Sequence, residues 1–326
     1  MRAPEFWYAP DSLTGALASA VLSPAAAVFG AAGALRRAVT RPWRAPVPVI
    51  CVGNLTVGGT GKTPTALSIV DLLRDRGRTP HVLTRGYRGR LRGPVRVDFE
   101  VHAARDVGDE ALLLARAAPT WVARDRAADA KAAVAAGADI LVMDDGLQNP
   151  GLAHDVALVV VDGARGFGNA RLLPAGPLRE PLAAGLDRAD AVVLIGDDAT
   201  GLAKHLALTV LGAQLVPAPE TERLAGKPVV AFAGIGRPGK FFATLEALGC
   251  TLVMTVGFPD HHRYTADEIM QLVEAAHAAG ATLATTEKDH VNMPADAQPM
   301  VTPVPVTLIW DDEAALDQVL APVLDR

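Results

Sequence analysis

Apolar residues in this chain gather in short unbroken runs set between longer stretches of mixed polarity. VPVICVGNL (Val47 to Leu55) is the first run, rich in β-branched side chains and followed by a glycine-rich turn. Such runs predict strands buried on both faces, as a parallel sheet requires. PHVLT (80–84), ADILVM (138–143), VALVVV (156–161) and DAVVLI (190–195) repeat the pattern. Helical segments are predicted between them: Thr63 to Arg76 ending at Gly77, then 108–118, then 126–136 closed by Gly137. RGYRGRLRG, from Arg85 to Gly93, reads as a loop. Alternating strands and helices predict a doubly wound, mostly parallel α/β sheet with helices on both faces.

Past Leu224 the pattern begins again. PVVAFA (228–233) reads as a strand, GIGRPGKFF leads into a helix ending near Gly249, and further strands are expected at 251–256, 281–285 and 304–309. The Pro/Glu-rich stretch around 215–225 separates the halves. The expected organisation is an N-terminal membrane-associated helix with a basic flank (1–45), a larger domain (46–220) and a second, smaller α/β domain (221–326) closing a cleft.

The N-terminal segment departs from this alternation. From Ser12 to Leu35 there are 24 residues without a charge, followed by Arg36, Arg37, Arg41 and Arg44. That length is enough to cross the apolar core of a bilayer. Leu13, Leu17 and Val21 recur four apart and, with Val28, mark one greasier helical face. The segment reads as a membrane-associated helix, spanning or lying in the interface, with its arginines toward anionic head groups on the cytoplasmic side; each is worth on the order of 1 kcal/mol. The alternative is an Ala-rich helix packed on a soluble domain. A cleaved leader fits less well, because its basic region would be Arg2 alone, countered by Glu5 and Asp11.

Composition narrows the function classes. The 326 residues are 50% apolar and 21% charged, which suits globular domains with large cores. A net charge of -5 argues against a nucleic-acid partner, since a phosphate backbone calls for a basic face. Cys51 and Cys250 form neither a zinc spacing nor a CxxC pair and read as buried apolar residues of a reduced protein. No obligate protein partner is signalled.

The first strand runs into Thr56-Val57-Gly58-Gly59-Thr60-Gly61-Lys62-Thr63, a phosphate-binding P-loop with threonine in place of the first glycine. Its glycines let backbone amides turn onto the β- and γ-phosphates of ATP, Lys62 adds a point charge, and Thr63 offers a hydroxyl to Mg²⁺. The helix that opens after Gly61 adds its N-terminal dipole. Ile140 to Met143 lead directly into Asp144 and Asp145, an acidic pair at a strand's C-terminal end where a second metal contact belongs. The sheet is therefore expected to be of the P-loop NTPase type. A guanine-reading N-K-x-D is missing, and Val57 rather than lysine precedes Gly58-Gly59, which leaves a small-molecule kinase or a ligase-type ATPase.

Taken together the motifs resemble one family, the tetraacyldisaccharide 4'-kinases. The stretches are GNLTVGGTGKTP (53–64), TRGYRG (84–89), VGDE (107–110), MDDGLQ (143–148), LPAGPLREP (173–181), AGIGRPGKFF (233–242), FPDHHRY (258–264) and TEKD (286–289). The resemblance implies transfer of the γ-phosphate of ATP to the 4'-hydroxyl of a tetraacyl glucosamine disaccharide 1-phosphate, a glycolipid, giving lipid IVA at the cytoplasmic face of a bacterial inner membrane. It also implies two α/β domains facing each other across the active site. Leu147, Asn149 and Ala111 replace the phenylalanine and histidine of a DDGFQH pattern and the proline of GDEP.

A sugar hydroxyl is a poor nucleophile, so a base within hydrogen-bond reach is expected. Asp109 is the candidate, with His261 as its partner from the second domain, matching a carboxylate–histidine pair of the family. Arg85, Arg88, Arg126 and Arg179 are candidates for phosphate contacts, because guanidinium forks match phosphate oxygens. Glu180 resembles a family position near the metal, and Lys288 and Asp289 belong to the cleft without an assigned role. Two rivals stand beside the kinase: an ATP-dependent ligase, which would need a carboxylic acid substrate, and an ATP-switched membrane assembly factor, which would have no use for Asp109 and the DHH motif.

Overall fold

Ile50 and Val52 face one side of the strand Val49–Gly53, while Val49 and Cys51 face the other, and all four are inaccessible to water. That two-sided burial explains why the run is apolar without alternation. In the computed structural model, which describes residues 4–9 and 12–325, this strand (β1) lies in the middle of a 9-stranded sheet. Arg2 and Asp11 lie outside the described residues. The other strands of the first half are β2 (Pro80–Thr84), β3 (Val95–Arg96), β4 (Thr120–Val122), β5 (Ile140–Asp144), β6 (Val156–Asp162), β7 (Ala191–Ile195) and β8 (Thr209–Pro217). The second half adds β9 (Pro228–Ala233), β10 (Thr251–Gly257), β11 (Thr282–Thr286), β12 (Thr302–Val304) and β13 (Val306–Trp310).

The large sheet has the order β13-β8-β7-β6-β1-β5-β2-β4-β3. It is parallel from β8 to β4, and antiparallel only at its margins, where β13 meets β8 and β3 meets β4. One face packs against the helices Lys62–Asp75 and Glu313–Leu324 through Ala66, Ile69, Leu73, Leu316 and Leu320. The other face is covered by Ala130 and Ala133 of the helix Arg126–Ala135 and by Leu147, Leu152 and Leu178 from connecting segments. β9 to β12 form a separate 4-stranded parallel sheet of order β10-β9-β11-β12, with its own apolar clusters centred on Phe232 and Leu245.

One sequence expectation is corrected. The run at 304–309, assigned to the second domain, crosses back: β13 pairs with β8, and the C-terminal helix Glu313–Leu324 packs in the first core. The smaller domain is thus an insertion between β8 and β13, and Ala218 N–H donates to Pro305 O where the two connections lie side by side (3.0 Å). β4, β8 and β12 carried no clear run in the sequence. β8 owes this to its margin position, where it alternates partial exposure with burial.

The uncharged N-terminal segment forms one helix, Leu13–Val39, capped by Ser12, whose Oγ accepts from Gly15 N–H. The residues that face inward are small. Gly15, Ser19 and Ala26 are buried, Ser19 Oγ donates to Ala175 O (3.0 Å), and Gly30 sits so close to Leu172 that a Cβ there would meet the leucine at 2.6 Å. The greasy stripe faces outward: Leu13 is 83% exposed, Leu17 68%, Val21 78% and Val28 71%. Arg37 turns in toward Glu180 at 3.2 Å and Arg44 pairs with Asp155 at 3.1 Å, which leaves Arg36 and Arg41 as the outward-facing cations of the flank.

Candidate active site

Gly61 stands between β1 and the helix Lys62–Asp75 with φ 95°, a left-handed conformation that only glycine adopts without strain. Gly58 has φ 115°, and a Cβ on Gly58 or Gly59 would meet nothing within 4 Å, so this backbone lies open to a ligand. Among the described residues, the amides of Gly58, Gly59, Thr60 and Gly61 make no hydrogen bond within the chain. The start of the loop is different. Val57 N–H donates to Pro177 O (2.9 Å), and Arg179 N–H donates to Leu55 O (2.8 Å), so Thr56 bridges to Leu178 as in a small sheet. Thr56 and Val57, expected to bind nucleotide, instead bind the loop to the LPAGPLREP segment. Asn54 Nδ2 donates to Thr60 Oγ1 (3.1 Å), bracing the turn from within.

Asp144 and Asp145 end β5 beside Lys62. Asp145 has a left-handed backbone (φ 53°), and its carboxylate accepts two bonds from Arg179 Nη1 (2.8 and 3.0 Å) with Lys62 Nζ at 3.7 Å. Burial alone would raise its pKa, but the charges of Lys62 and Arg179 hold it below the ordinary aspartate value. Asp144 is also buried, yet both its oxygens lack any hydrogen-bond partner. Burial, with the negative charges of Glu110 and Asp145, pushes its pKa well up. A buried carboxylate left bare next to a P-loop lysine is the arrangement a cation would satisfy. Thr63, one residue after Lys62, brings a hydroxyl to the same end of the sheet. Among the described residues no group of three or more His, Cys, Asp or Glu forms a cage. A Mg²⁺ completed by phosphate oxygens and water needs none, so the residues present fit that ion.

Glu180 does not fit the metal role. Its carboxylate is 1% exposed and bonded by Arg188 Nη2 (2.8 Å to each oxygen), Gln148 Nε2 (3.0 Å) and Arg37 (3.2 Å). Gln148 Nε2 also reaches Asn54 O (2.8 Å), so Glu180 joins the N-terminal helix, the MDDGLQ turn and the root of the P-loop.

Between β3 and β4 of the larger domain, Gly108 (φ 92°) lets the chain turn sharply into the helix Asp109–Ala117; a Cβ there would meet Tyr87 O at 2.5 Å. Asp109, at the first position, is 3% exposed. The smaller domain supplies its partners. His261 Nδ1 lies 2.7 Å from Asp109 Oδ2, and Asn292 Nδ2 donates to the same oxygen at 2.9 Å. Glu110 N–H donates to Oδ1 (3.0 Å). Burial works to raise the carboxyl's pKa, but the His261 hydrogen bond, the charge of Lys288 and the Asn292 bond together hold it at about 2. His261 has φ 57°, a strained conformation for a non-glycine residue. Its loop is held by Arg88, whose Nη1 donates to Asp260 O (3.2 Å) and His261 O (2.9 Å), and by Tyr87, whose ring meets the imidazole edge-on at 5.4 Å.

The four candidate arginines thus separate. Arg126 is buried at 2% exposure, donating to Ala123 O (3.0 Å) and Asp144 O (3.5 Å) and lying 3.6 Å from Asp129, so its guanidinium is engaged inside the protein beside β5. Arg88 holds the DHH backbone. Arg179 holds Asp145, with its Nε unpartnered. Arg85 is exposed at the C-terminal end of β2, with no ion pair among the described residues. Asp289 is a structural tie: its carboxylate accepts from Gly234 N–H, Thr286 Oγ1 and Tyr264 OH, joining three of the smaller domain's motifs. Asn292 was missed in the sequence, although it stands four residues after Lys288, one helical turn along the same face, where a signal existed.

A sequence model of the family LpxK, tetraacyldisaccharide-1-P 4'-kinase, matches residues 18–325. The chain belongs to that family. Tetraacyldisaccharide 4'-kinases similar to it include that of Rhodospirillum centenum, 54% identical over 99% of this chain and 97% of that protein. Another, from Gluconacetobacter diazotrophicus, is 53% identical over 100% of this chain and 99% of that protein. The crystal structure of the tetraacyldisaccharide 4'-kinase LpxK from Aquifex aeolicus in complex with ATP superimposes with a TM-score of 0.74 at 25% identity, covering 94% of this chain and 99% of that one. At 94% of this chain the likeness takes in both domains.

Proposed function

We propose that this protein transfers the γ-phosphate of ATP to the 4'-hydroxyl of a tetraacyl glucosamine disaccharide 1-phosphate, giving lipid IVA at the cytoplasmic face of a bacterial inner membrane. The observation that carries the reading is the Asp109–His261 pair, assembled from two domains in a chain whose P-loop amides are open, with the neighbouring Glu110 near enough to Asp144 for its charge to raise that carboxyl's pKa. The P-loop amides from Gly58 to Gly61 and the Lys62 ammonium hold the triphosphate. Asp144 and Thr63 are the residues that would hold Mg²⁺, which when bound neutralises charge on the β- and γ-phosphate oxygens. Asp145, fixed by Arg179, keeps Lys62 aligned. Asp109 accepts the proton of the sugar hydroxyl as its oxygen bonds to the γ-phosphorus and the bond to the β–γ bridging oxygen breaks toward ADP. A carboxylate held at a pKa of about 2 is a weak base, and a loose phosphoryl-transfer transition state asks more for a positioned acceptor than a strong one. The outward apolar stripe of Leu13–Val39 supports an interfacial helix. It touches the protein through Gly15, Ser19 and Ala26 and through the Arg37–Glu180 pair, and the stripe opposite these residues is left for the membrane surface.

The test is incubation with ATP, Mg²⁺ and a tetraacyl disaccharide 1-phosphate, read by mass spectrometry. The expected product is heavier by one phosphate. Asp109→Asn should lower kcat by about 10²- to 10⁴-fold, the usual contribution of a general base, while ATP affinity stays unchanged. A variant within a few-fold of the parent would remove Asp109 from this role, and the absence of any phosphorylated lipid would overturn the substrate.

A further inference from the structure

Asp109 and His261 leave a question that the pair alone does not answer. Two groups able to take a proton share one hydrogen bond, and something must decide which of them does so. The deciding groups come from the short helix Glu287–His290 after β11 and from the turn that follows it. Lys288 Nζ stands 3.1 Å from His261 Nε2, and Asn292 Nδ2 stands 2.9 Å from Asp109 Oδ2. Asn292 Nδ2 also donates to Lys288 O at 3.1 Å, which locks the two side chains to one turn of backbone.

An ammonium has three donors and no lone pair. Its approach to Nε2 therefore requires that nitrogen to be an acceptor, which places the ring's single proton on Nδ1, where it donates to Asp109. The direction of the whole chain follows: Lys288 N–H to Nε2, then Nδ1–H to Asp109 Oδ2. A second proton on the imidazole would have to sit on Nε2, facing a cation.

We propose that Lys288 and Asn292 are positioning residues for the phosphoryl acceptor, Lys288 by holding His261 neutral in the Nδ1–H form and Asn292 by supplying the second donor to Asp109 Oδ2. The carboxylate, not the imidazole, then receives the hydroxyl proton. This rests on the reading of Asp109 as the base given above. The surrounding charges make Lys288 necessary. Asp109 and Asp260 both face the imidazole, Asp260 at 3.9 Å from Nε2, and two carboxylates would favour an imidazolium. Lys288 opposes them, itself seated between Asp260 (3.6 Å) and Glu110 (4.0 Å). The Tyr87 ring and the Arg88 guanidinium, the latter on the loop carbonyls, complete the shell.

The experiment compares Lys288→Met, Lys288→Arg and Asn292→Ala with the parent in the full-length protein, using two readouts. The first is the pH profile of kcat and of KM for ATP. Lys288→Met should lose about 10- to 100-fold in kcat, part of what a positioned base provides, with KM for ATP within threefold. Its pH profile of kcat should also differ in shape from the parent's, because the ring is no longer held by a donor at Nε2. Lys288→Arg should restore the parent's profile. Asn292→Ala should lower kcat and keep the parent's profile.

The second readout is ¹⁵N NMR of the histidine rings, with His261 assigned by its loss in His261→Gln. The parent should show the Nδ1–H form, and Lys288→Met should show the Nε2–H form or the imidazolium. The ring state is measured without any turnover, so it tests this inference even if the acceptor proves to be another alcohol. A parent ring in the Nε2–H form would overturn the proposal. So would a Lys288→Met variant that keeps the parent's pH profile, or one that raises KM for ATP at unchanged kcat, which would make Lys288 a nucleotide ligand.

Discussion

Asp144 and Asp145 are chemically identical neighbours, and their surroundings give them opposite states. Arg179 and Lys62 claim Asp145, so its charge is stabilised where it stands. Asp144 has neither a donor nor a cation in contact, and burial with its acidic neighbours favours its protonated form. An acid whose pKa is raised in the folded state contributes stability that is complete below the unfolded aspartate value, about 3.9. That contribution is lost as the pH climbs through the raised folded value. The nucleotide-free protein should therefore melt at lower temperature at pH 8 than at pH 5.5, and Asp144→Asn should remove most of the difference. At pH 8 the variant should be the more stable of the two, because the amide has no charge to bury. Mg²⁺ with ATP should raise the melting temperature of the parent and not of the variant. Equal pH dependence in the two proteins would show that Asp144 is not the group responsible.

At the scale of elements, the N-terminal helix shows how far a pattern of residues reads. Its length and its freedom from charge were legible, and the four-residue recurrence of Leu13, Leu17 and Val21 marked a face. Which face the protein keeps was not legible, because periodicity identifies a stripe without naming what covers it. Packing chose the small side. Ser19 and Gly30 allow the helix to lie close against the segment 169–176, and Gly15 lets it lie close to Phe6 and Ala9, so larger residues there would hold it off. That segment continues into Pro177 and Leu178, which pair with the P-loop, so one stretch of chain carries the helix on one side and the nucleotide loop on the other. The large residues are left outside, where their transfer from water is worth about 1.5–3 kcal/mol each when fully buried. Replacing Leu13, Leu17 and Val21 by Gln should leave the melting temperature within a degree or two, since none of the three is packed. Binding to vesicles containing anionic lipid should fall by more than tenfold, measured by co-sedimentation. Undiminished binding would assign the membrane contact to another surface.

At the scale of the molecule, the smaller domain was legible as a second run of strands and helices, but its status as an insertion was not. VTLIW (306–310) carries the same β-branched signature whether it pairs with β12 or with β8, and register is decided by partners far away in sequence. The consequence is mechanical: two adjacent connections, at Ala218 and Pro305, attach the smaller domain to the larger. Contacts on both flanks of the cleft then set how closely the domains approach. One flank is catalytic, with Asp109, His261 and Asn292. The other is Asp162, at the end of β6 and 5% exposed, which accepts an ion pair from Arg237 and another from Lys240 at 3.1 Å. Asp162 stands between two cations, and a third is near Lys240: the charges of Arg237 and Arg165 add to burial in lowering the Lys240 pKa to about 8. Removing the acid leaves like charges facing one another across the cleft, so Asp162→Asn should favour an open arrangement of the domains. Closure is needed to bring His261 and Asn292 to Asp109, and opening should therefore cost activity with no change at the reacting groups. A coupling of about 1–3 kcal/mol would lower kcat/KM roughly 5- to 150-fold. Small-angle scattering of the nucleotide-free variant should give a larger radius of gyration than the parent, and saturating ATP with acceptor should narrow the gap. If the radius is unchanged while activity falls, Asp162 acts on the chemistry directly and the second flank is not a latch.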